Sequence, residues 1–214
     1  MTPPNRLTGL NHRLHRAVLA VVIAVVGLVG AGAGPAAARG GEVVTVAQAE
    51  ATAARRYAFD SEVEVRTIRG TAPVSPKNYA AGYSHDCTGC KAAAFSIQVV
   101  LASGGGPLGS PENVSVALNE RCEGCDTVAD ARQFVVLTDK PVRLSDKGAS
   151  VVESVRHRVA DLRNSGLDGP TMVSRFQAEA DRVAAVLSTE LRPENGDRDT
   201  GHADVSDHEH HSFG

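Results

Sequence analysis

The sequence predicts an α+β domain in which an antiparallel sheet of about five strands carries two C-terminal antiparallel helices on one face. A β-rich unit with two cysteines occurs twice in tandem, which indicates a sheet built from a copied β-CxGC-β element. After Pro141 the apolar residues change to helical spacing, which predicts two amphipathic helices. Neither helix can bury its apolar stripe alone, so we expect both to cover the sheet.

The N-terminal segment has the pattern of a secretory signal peptide. A basic region without acidic residues precedes an apolar run from Ala17 to about Gly34, and Ala36-Ala37-Ala38 supplies the small residues that signal peptidase requires. The run is shorter than the roughly 20 residues of a membrane span. We therefore expect cleavage after Ala38 and a secreted, extracytoplasmic protein. The alternative is an uncleaved anchor, which would be its only contact with a membrane.

The composition argues against a nucleic-acid partner. The signal segment holds three of the 22 basic residues and no acidic residue, so 19 basic residues face 25 acidic ones in the mature chain, a net charge of about −6. The chain also has no Trp and no basic stripe with interleaved aromatic residues. Acidity of this size indicates solubility and identifies no partner.

Composition divides the chain into four segments. The signal peptide covers residues 1–38, and residues 39–56 have no clear period and are interpreted as an N-terminal linker. Residues 57–191 contain the cysteine repeat and both helical stripes, and we interpret them as one double-CxGC domain. Residues 192–214 form an acidic, His-rich tail that is too polar to bury a core, so it is predicted to be disordered.

The tandem unit has the pattern S-P-x-N…C-x-G-C…A…Q-x-V, and its two copies begin at Ser75 and Ser110. In the second copy, Val114, Val116 and Leu118 alternate with small or polar residues, which is the period of a half-buried strand. The same alternation predicts an earlier strand within residues 59–68, ahead of the first copy.

A longer apolar segment follows each cysteine pair, at Ala92–Ala102 and Thr127–Thr138. Periodicity alone does not separate helix from strand in such short apolar runs. Both segments end in residues that favour strands, Ile97–Leu101 and Phe134–Thr138, so we predict strands here.

Two helices are predicted after the repeat. The first has an apolar face, a candidate N-cap at Ser145 and a stop at residues 164–166. The second opens near Gly169-Pro170, where proline suits the first helical position. The stripe of the first helix is Val151, Val152, Val155, Val159 and Leu162, and that of the second is Met172, Val173, Phe176, Ala180, Val183, Ala184, Leu187 and Leu191.

The stretch from about Tyr57 to Leu191 resembles a domain of unknown function in secreted actinobacterial proteins. The shared pattern comprises the C-x-x-C-x-x-x-A…Q-V-V-L segment, P-x-N-x-x-V-A-x-N-x-x-C-x-x-C, the following Q-F-V strand, and a Ser-Gly-Leu-x-Gly-Pro turn, here residues 165–170. A similar domain forms the extracytoplasmic part of peptide zinc metalloproteases of the site-2-protease type. The resemblance implies fold and location but not protease activity, because this chain lacks the His-Glu-x-x-His motif of those enzymes.

Three interpretations are open for the four cysteines, Cys87, Cys90, Cys122 and Cys125. In the first, each C-x-G-C pair forms a disulfide within a tight turn. Gly89 and Gly124 then occupy the turn position that requires a positive φ. The ends of such a turn lie less than about 7 Å apart, which is compatible with a disulfide, and an exported location lets the bond persist.

The second interpretation is a Cys₄ zinc site. In an up-and-down sheet both turns emerge at the same end, about 10 Å or two strand spacings apart. Sheet twist would then have to bring the two tips together around one tetrahedral metal ion. An oxidising exterior opposes the free thiolates that zinc requires.

The third interpretation is a thiol–disulfide oxidoreductase that uses Cys87 and Cys90. Lys91 and His85 flank this pair and would lower a thiol pKa. The second pair has acidic neighbours instead, Glu120, Glu123 and Asp126, which would raise a thiol pKa. This difference argues against two equivalent active sites with lowered thiol pKa values.

Other polar residues have a functional and a structural interpretation. The tail histidines, His202, His208, His210 and His211, are candidates for weak binding of Zn²⁺, Ni²⁺ or Cu²⁺, and a solvated tail is the competing interpretation. Gln98 and Gln133, repeated inside apolar strands, mark either a ligand or a side chain that satisfies a backbone group.

Together these observations favour an exported, non-enzymatic binding or structural domain at the cell envelope, stabilised by CxGC disulfides. We expect no cofactor and an unknown protein or envelope partner. The sequence offers no Ser-His-Asp set or carboxylate pair that would indicate catalysis. The alternatives are a Cys₄ zinc-binding domain and a thiol–disulfide oxidoreductase.

Overall fold

The computed structural model describes residues 41–194 and 203–213, which contain nine strands and two α-helices. The strands are β1 (Glu42–Ala51), β2 (Tyr57–Arg69), β3 (Ser75–Thr88), β4 (Lys91–Ser103), β5 (Glu112–Glu123), β6 (Asp126–Thr138), β7 (Val142–Leu144), β8 (Leu191–Pro193) and β9 (Ala203–Phe213). The helices are α1 (Asp146–Asp161) and α2 (Gly169–Thr189), and a 3-10 turn, Leu162–Asn164, follows α1.

The strands from β1 to β6 form three coils stacked on one another. Each coil is a strand–turn–strand unit, and the coils cover residues 42–69, 75–103 and 112–138. The first strand of each coil joins an outer sheet with the order β1-β3-β5, and the second joins a central sheet with the order β2-β4-β6-β9. The chain therefore crosses from one sheet to the other at every turn, as in a short parallel β-solenoid.

Equivalent residues of successive coils lie side by side. β3 pairs with β5, and β4 with β6, in parallel and with the 35-residue offset of the sequence repeat. β1 and β2 also pair in parallel with β3 and β4, at offsets of 33 and 34 residues. The first coil therefore has the same strand–turn–strand form without cysteines, and its strand β1 lies in the segment interpreted as a linker, residues 39–56.

The structure confirms the α+β class and the strands predicted after each cysteine pair. The prediction of a single antiparallel sheet is wrong. Among the described residues, antiparallel pairing is restricted to β6 with β9 and β7 with β8. The reason lies in β4, which is buried on both faces. Strands covered on both sides are typical of parallel sheets. The C-x-G-C turn consequently connects two layers and does not join two neighbours within one sheet.

Small side chains fill the space between the outer and central sheets. Gly82 belongs to this layer, and a Cβ at its position would lie 2.8 Å from the carbonyl oxygen of Val128. Only glycine permits such a close approach of two backbones. The alanines of the layer are Ala47, Ala49, Ala51, Ala58, Ala80, Ala92, Ala94, Ala129 and Ala131.

Both helices pack on the other face of the central sheet, where the main core contains the large apolar side chains. Ser145 caps α1 by accepting the N–H of Gly148 at 3.0 Å, as predicted. Phe95 of β4 stacks on Phe176 of α2, with ring centroids 4.8 Å apart. Within the described part of the chain, neither helix combines the length and apolar character needed to cross a membrane.

Side chains form hydrogen bonds with backbone groups at the open edge of the first coil. Asp60 accepts the N–H of Gln48 at 2.7 Å. Arg156 of α1 donates to the carbonyl oxygen of Val63 through Nε at 3.1 Å and Nη2 at 2.9 Å. Such contacts block the addition of a further strand, which is the usual hazard of a sheet edge.

Strand β9 covers the edge of the third coil. It lies within the tail predicted to be disordered, residues 192–214, and pairs antiparallel with β6. Its side chains also reach the outer sheet. The Nδ1 atom of His210 accepts the N–H of Ser115 at 3.2 Å, and the Oγ atom of Ser212 accepts the N–H of Ala117 at 3.2 Å. β9 therefore caps both sheets at this end of the stack.

Replacing His210 and Ser212 together by Ala should lower the free energy of unfolding by about 1–2 kcal/mol, because two β5 N–H groups lose their partners. Urea denaturation followed by circular dichroism measures the change. His211→Ala is the matched control, because successive side chains of a strand point to opposite faces, and it should change stability by less than about 0.5 kcal/mol. Equal losses in the two variants would show that β9 is not a cap.

Candidate functional site

Both C-x-G-C turns lie at the same end of the coil stack, where the chain crosses from the outer to the central sheet. Gly89 and Gly124 occupy the same place in the two turns, with φ of +64° and +62°. This is the left-handed conformation predicted for glycine there. A Cβ would meet no atom within 4 Å at either position, so the backbone conformation and not the available space selects glycine.

The parallel register makes the two turns direct neighbours. Cys87 lies beside Cys122 in the β3–β5 pair, and the N–H of Asp126 donates to the carbonyl oxygen of Cys90 at 2.9 Å. The turns are therefore about 4.8 Å or one strand spacing apart. The predicted distance of two strand spacings between the turns, which assumed an up-and-down sheet, is wrong. The chain alternates between the two layers, so no strand lies between β3 and β5.

This register brings all four cysteine sulfurs together, with every pair of Sγ atoms within 4.8 Å. Each turn holds its own two cysteines at disulfide distance, Cys87 with Cys90 and Cys122 with Cys125. The Cα separations are 6.2 and 5.9 Å, within the usual range for a disulfide. No cysteine is left without such a partner.

The distances between the turns also suit one metal ion. The Sγ atom of Cys87 lies 3.3 Å from that of Cys122 and 3.9 Å from that of Cys125. Four sulfurs around a tetrahedral zinc ion at 2.3 Å are about 3.8 Å from one another. The N–H of Cys90 also points at the sulfur of Cys125, 3.3 Å away, which favours a thiolate there. The cluster is thus compatible with two disulfides or, once reduced, with zinc.

An ion pair aligns the two turns just before their first cysteines. Asp86 and Arg121 are separated by one repeat, and both have a left-handed backbone, with φ of 51° and 48°. The Arg121 guanidinium donates to both carboxylate oxygens of Asp86, through Nε at 2.5 Å and Nη2 at 2.8 Å. It holds the pKa of Asp86 well below its usual range. This pair was not predicted from the sequence, although opposite charges at one repeat position are a signal for it.

His85, considered above as a cation that would activate the first cysteine pair, is held between two carboxylates. Its Nδ1 atom lies 3.0 Å from Asp86, its Nε2 atom lies 2.9 Å from Glu50, and its ring stacks on Tyr83. The hydrogen bond to Asp86, followed by that to Glu50, raises the pKa of His85. Both ring nitrogens are therefore occupied by these carboxylates and not directed at the cysteines.

Gln98 and Gln133 are fully buried and bond to each other, with the Nε2 atom of Gln133 donating to the Oε1 atom of Gln98 at 2.9 Å. Gln98 also donates to the carbonyl oxygen of Lys77 at 2.9 Å, and Gln133 donates to that of Glu112 at 3.0 Å. These bonds join the central sheet to the outer sheet. The structural interpretation of the two glutamines is the one that these contacts support.

Of the tail histidines, His202 lies outside the described residues, and the backbone of His208 pairs with that of Gln133 in the strand register. His210 bonds to Ser115 through Nδ1, and His211 lies near Glu209, 3.6 Å away. Within residues 41–194 and 203–213, the four cysteines are the one set of three or more His, Cys, Asp or Glu ligands close enough to share a metal ion.

A second buried polar cluster lies between β6, α2 and β9. Asp130 has no exposed surface, and its Oδ2 atom accepts a hydrogen bond from Gln177 at 3.2 Å. Burial raises the pKa of Asp130 to about 7, and the bond to Gln177 and the charge of Arg132 only partly oppose this. Arg132 in turn pairs with Asp207 of β9 at 2.9 Å. The cluster joins the helix and the capping strand to the sheet.

Comparison of the chain with protein-family models, with curated proteins and with solved structures finds no match.

Asp130→Asn should change the pH dependence of stability. The folded-state pKa of Asp130, about 7, exceeds the unfolded value of about 3.9, so the unfolded state binds fewer protons between these values. The contribution of Asp130 to stability is present below pH 4, falls as the pH rises to 7 and is constant above it. The variant should therefore gain stability relative to the original chain between pH 5 and 8, by at most about 4 kcal/mol.

Urea denaturation of both proteins at several pH values measures this difference. The exposed Asp139→Asn serves as the matched control and should show no such trend. A constant difference between the Asp130 variant and the original chain would mean that Asp130 remains ionised in the fold.

Proposed function

We propose that this chain is an exported, non-enzymatic domain that acts by binding or by structural support at the cell envelope. One observation carries the proposal: all four cysteines gather in two adjacent turns at one end of the coil stack, each pair at disulfide distance. Disulfides persist in an oxidising exterior, which is the location that the signal-peptide pattern predicts for the protein. In this state each cysteine pair closes its own turn covalently.

The surface that we assign to partner binding is this cysteine-bearing end. Three turns lie there side by side, at residues 52–56, 87–90 and 122–125. The first turn is joined to the second by a hydrogen bond from the Lys91 N–H to the Arg56 carbonyl oxygen at 2.8 Å. Covalent closure of the other two turns reduces the conformational freedom that binding would have to remove.

The family resemblance supports a partner at the envelope. Similar domains occur as the extracytoplasmic parts of peptide zinc metalloproteases, and this chain resembles them over residues 57–191. A membrane-bound peptide-processing protease is therefore one partner of suitable location for a separate exported domain of this kind.

Features of the first cysteine pair support a non-enzymatic function over a thiol–disulfide oxidoreductase. A strand follows Cys90 directly, so this pair does not open a helix whose N-terminus would lower a thiol pKa. Cys90 has no exposed surface. The two ring nitrogens of the neighbouring His85 bond to Asp86 and Glu50.

The second candidate function is zinc binding by the reduced cluster. It is favoured by the separation of sulfurs in different turns, 3.3 and 3.9 Å, which is close to that in a Cys₄ site. In this candidate the zinc ion would crosslink the second and third coils, whereas disulfides close each turn separately.

Paired cysteine variants separate the two candidates. In protein purified without reductant from the medium of a secreting host, we expect no alkylatable thiol and disulfide-linked peptides within each turn. Cys87→Ser/Cys90→Ser and Cys122→Ser/Cys125→Ser should each lose one bridge, keep the other, and lose about 2 kcal/mol of stability, because each loop is only four residues long. Mass mapping and urea denaturation measure these outcomes.

Four alkylatable thiols with one stoichiometric zinc ion, lost completely in either double variant, would establish the zinc candidate instead. Insulin reduction that disappears in Cys87→Ser but survives in Cys122→Ser would overturn the non-enzymatic proposal.

Export has its own test. When the full chain is produced in a secreting actinobacterial host, the protein in the medium should begin at Arg39, because the small residues at Ala36 and Ala38 direct cleavage. N-terminal sequencing measures this directly. An intact N-terminus in the membrane fraction would indicate the uncleaved anchor instead.

A further inference from the structure

A cavity of about 440 Å³ lies beside the cysteine-bearing end of the stack. Its walls come from three separate segments: the end of the first turn, the second turn with the start of β4, and the connection between the two helices. The charged residues of this lining are all cations, Arg56, Lys91 and Arg163, without an Asp or Glu among them.

Two of these cations are not neutralised within the described chain. Arg56 and Lys91 make no side-chain hydrogen bond or ion pair with a described residue. Lys91 acts on Asp168 only through longer-range attraction, which contributes a minor part of the lowered pKa of Asp168. Arg163 is held in place by its bond to the carbonyl oxygen of Phe59 at 3.2 Å and by that residue's ring. The lining therefore carries three cations, and the guanidinium of one of them, Arg163, is fixed.

Apolar side chains form a further part of the lining, which also includes Asn164 and Ser165. Leu162 and Met172 are nearly fully buried side chains of its lining, and Leu167 adds a third apolar surface. The ring of Tyr57 is 40% exposed, and its hydroxyl donates to the carbonyl oxygen of Arg163 at 2.7 Å, which fixes the ring at the edge of the cavity. Cations thus lie beside an apolar surface within one small volume.

We propose that this cavity binds an apolar group that carries a carboxylate, either a free organic acid or the C-terminal residue of a peptide. Arginine matches the planar geometry of a carboxylate with two parallel hydrogen bonds, and Lys91 adds a third positive charge. The apolar lining accommodates the side chain next to the carboxylate. The volume lies within the range of small-molecule sites, about 300–1,000 Å³, and capture of a C-terminal carboxylate is a known mode of peptide recognition.

Calorimetry with the mature protein tests the chemistry of the ligand. The probes are N-acetyl-leucine, its uncharged amide, inorganic phosphate, and an acetylated pentapeptide that ends in a leucine carboxylate. We expect N-acetyl-leucine to bind at least about tenfold more tightly than its amide. Tighter binding of the pentapeptide than of N-acetyl-leucine identifies a peptide terminus as the source of the carboxylate, and equal binding identifies a free acid.

Equal affinity for the acid and the amide, no binding of any carboxylate probe at about 10 mM, or binding of phosphate as tight as that of N-acetyl-leucine would overturn the proposal.

Neighbouring arginines provide a matched pair of variants. Arg55 and Arg56 are both exposed, but only Arg56 lines the cavity. Arg56→Gln and Lys91→Met should each weaken the binding of N-acetyl-leucine by about tenfold, whereas Arg55→Gln should leave it unchanged. Equal weakening by Arg55→Gln and Arg56→Gln would show that general surface charge, and not the cavity, holds the acid. Unchanged circular dichroism confirms that each variant is folded.

Discussion

Equivalent strands of successive coils run parallel, so each side chain lies about 4.8 Å from its counterpart in the next coil. Identical neighbours are favourable at this distance only when they pack or hydrogen-bond. Alanines therefore fill the space between the sheets, and Gln98 bonds to Gln133. Charged side chains pair with opposite charges on the neighbouring strands instead: Lys77 of β3 lies 3.2 Å from Glu42 of β1 and 3.6 Å from Glu112 of β5. One geometric constraint thus decides which residues each position accepts.

The same constraint assembles the cysteine site. Each turn by itself places a left-handed glycine between its two cysteines. Stacking adds a second turn as a neighbour, so Cys87 lies beside Cys122 and Asp86 pairs with Arg121. The sulfurs form one cluster because equivalent turns superpose, and the cluster is therefore a property of the stack and not of either turn.

A stack of parallel strands has two open edges, and this chain closes them differently. At the first coil, single side chains such as Arg156 form hydrogen bonds with backbone groups of the edge. At the third coil a whole strand, β9, pairs with β6. The composition of residues 203–213 is too polar to indicate a buried strand, so the sequence suggested disorder. β9 pairs nonetheless because the edge of β6 offers unpaired backbone groups and Arg132 attracts Asp207. Both β6 and its residue Arg132 are far from β9 in the sequence.

Local features could be predicted from the sequence. The repeat predicted the strands β4 and β6, and the C-x-G-C spacing predicted turns with a left-handed glycine. The apolar stripes predicted both helices. These depend on residues only a few positions apart. The sequence did not reveal the first coil, which lacks the cysteines that make the repeat visible, and it did not give the direction of strand pairing. Pairing was decided by what covers each face of β4, namely the helices on one side and the outer sheet on the other. By itself the sequence determined how each turn is shaped. Only the tertiary structure decided that the turns are neighbours, because their contact joins residues 35 positions apart.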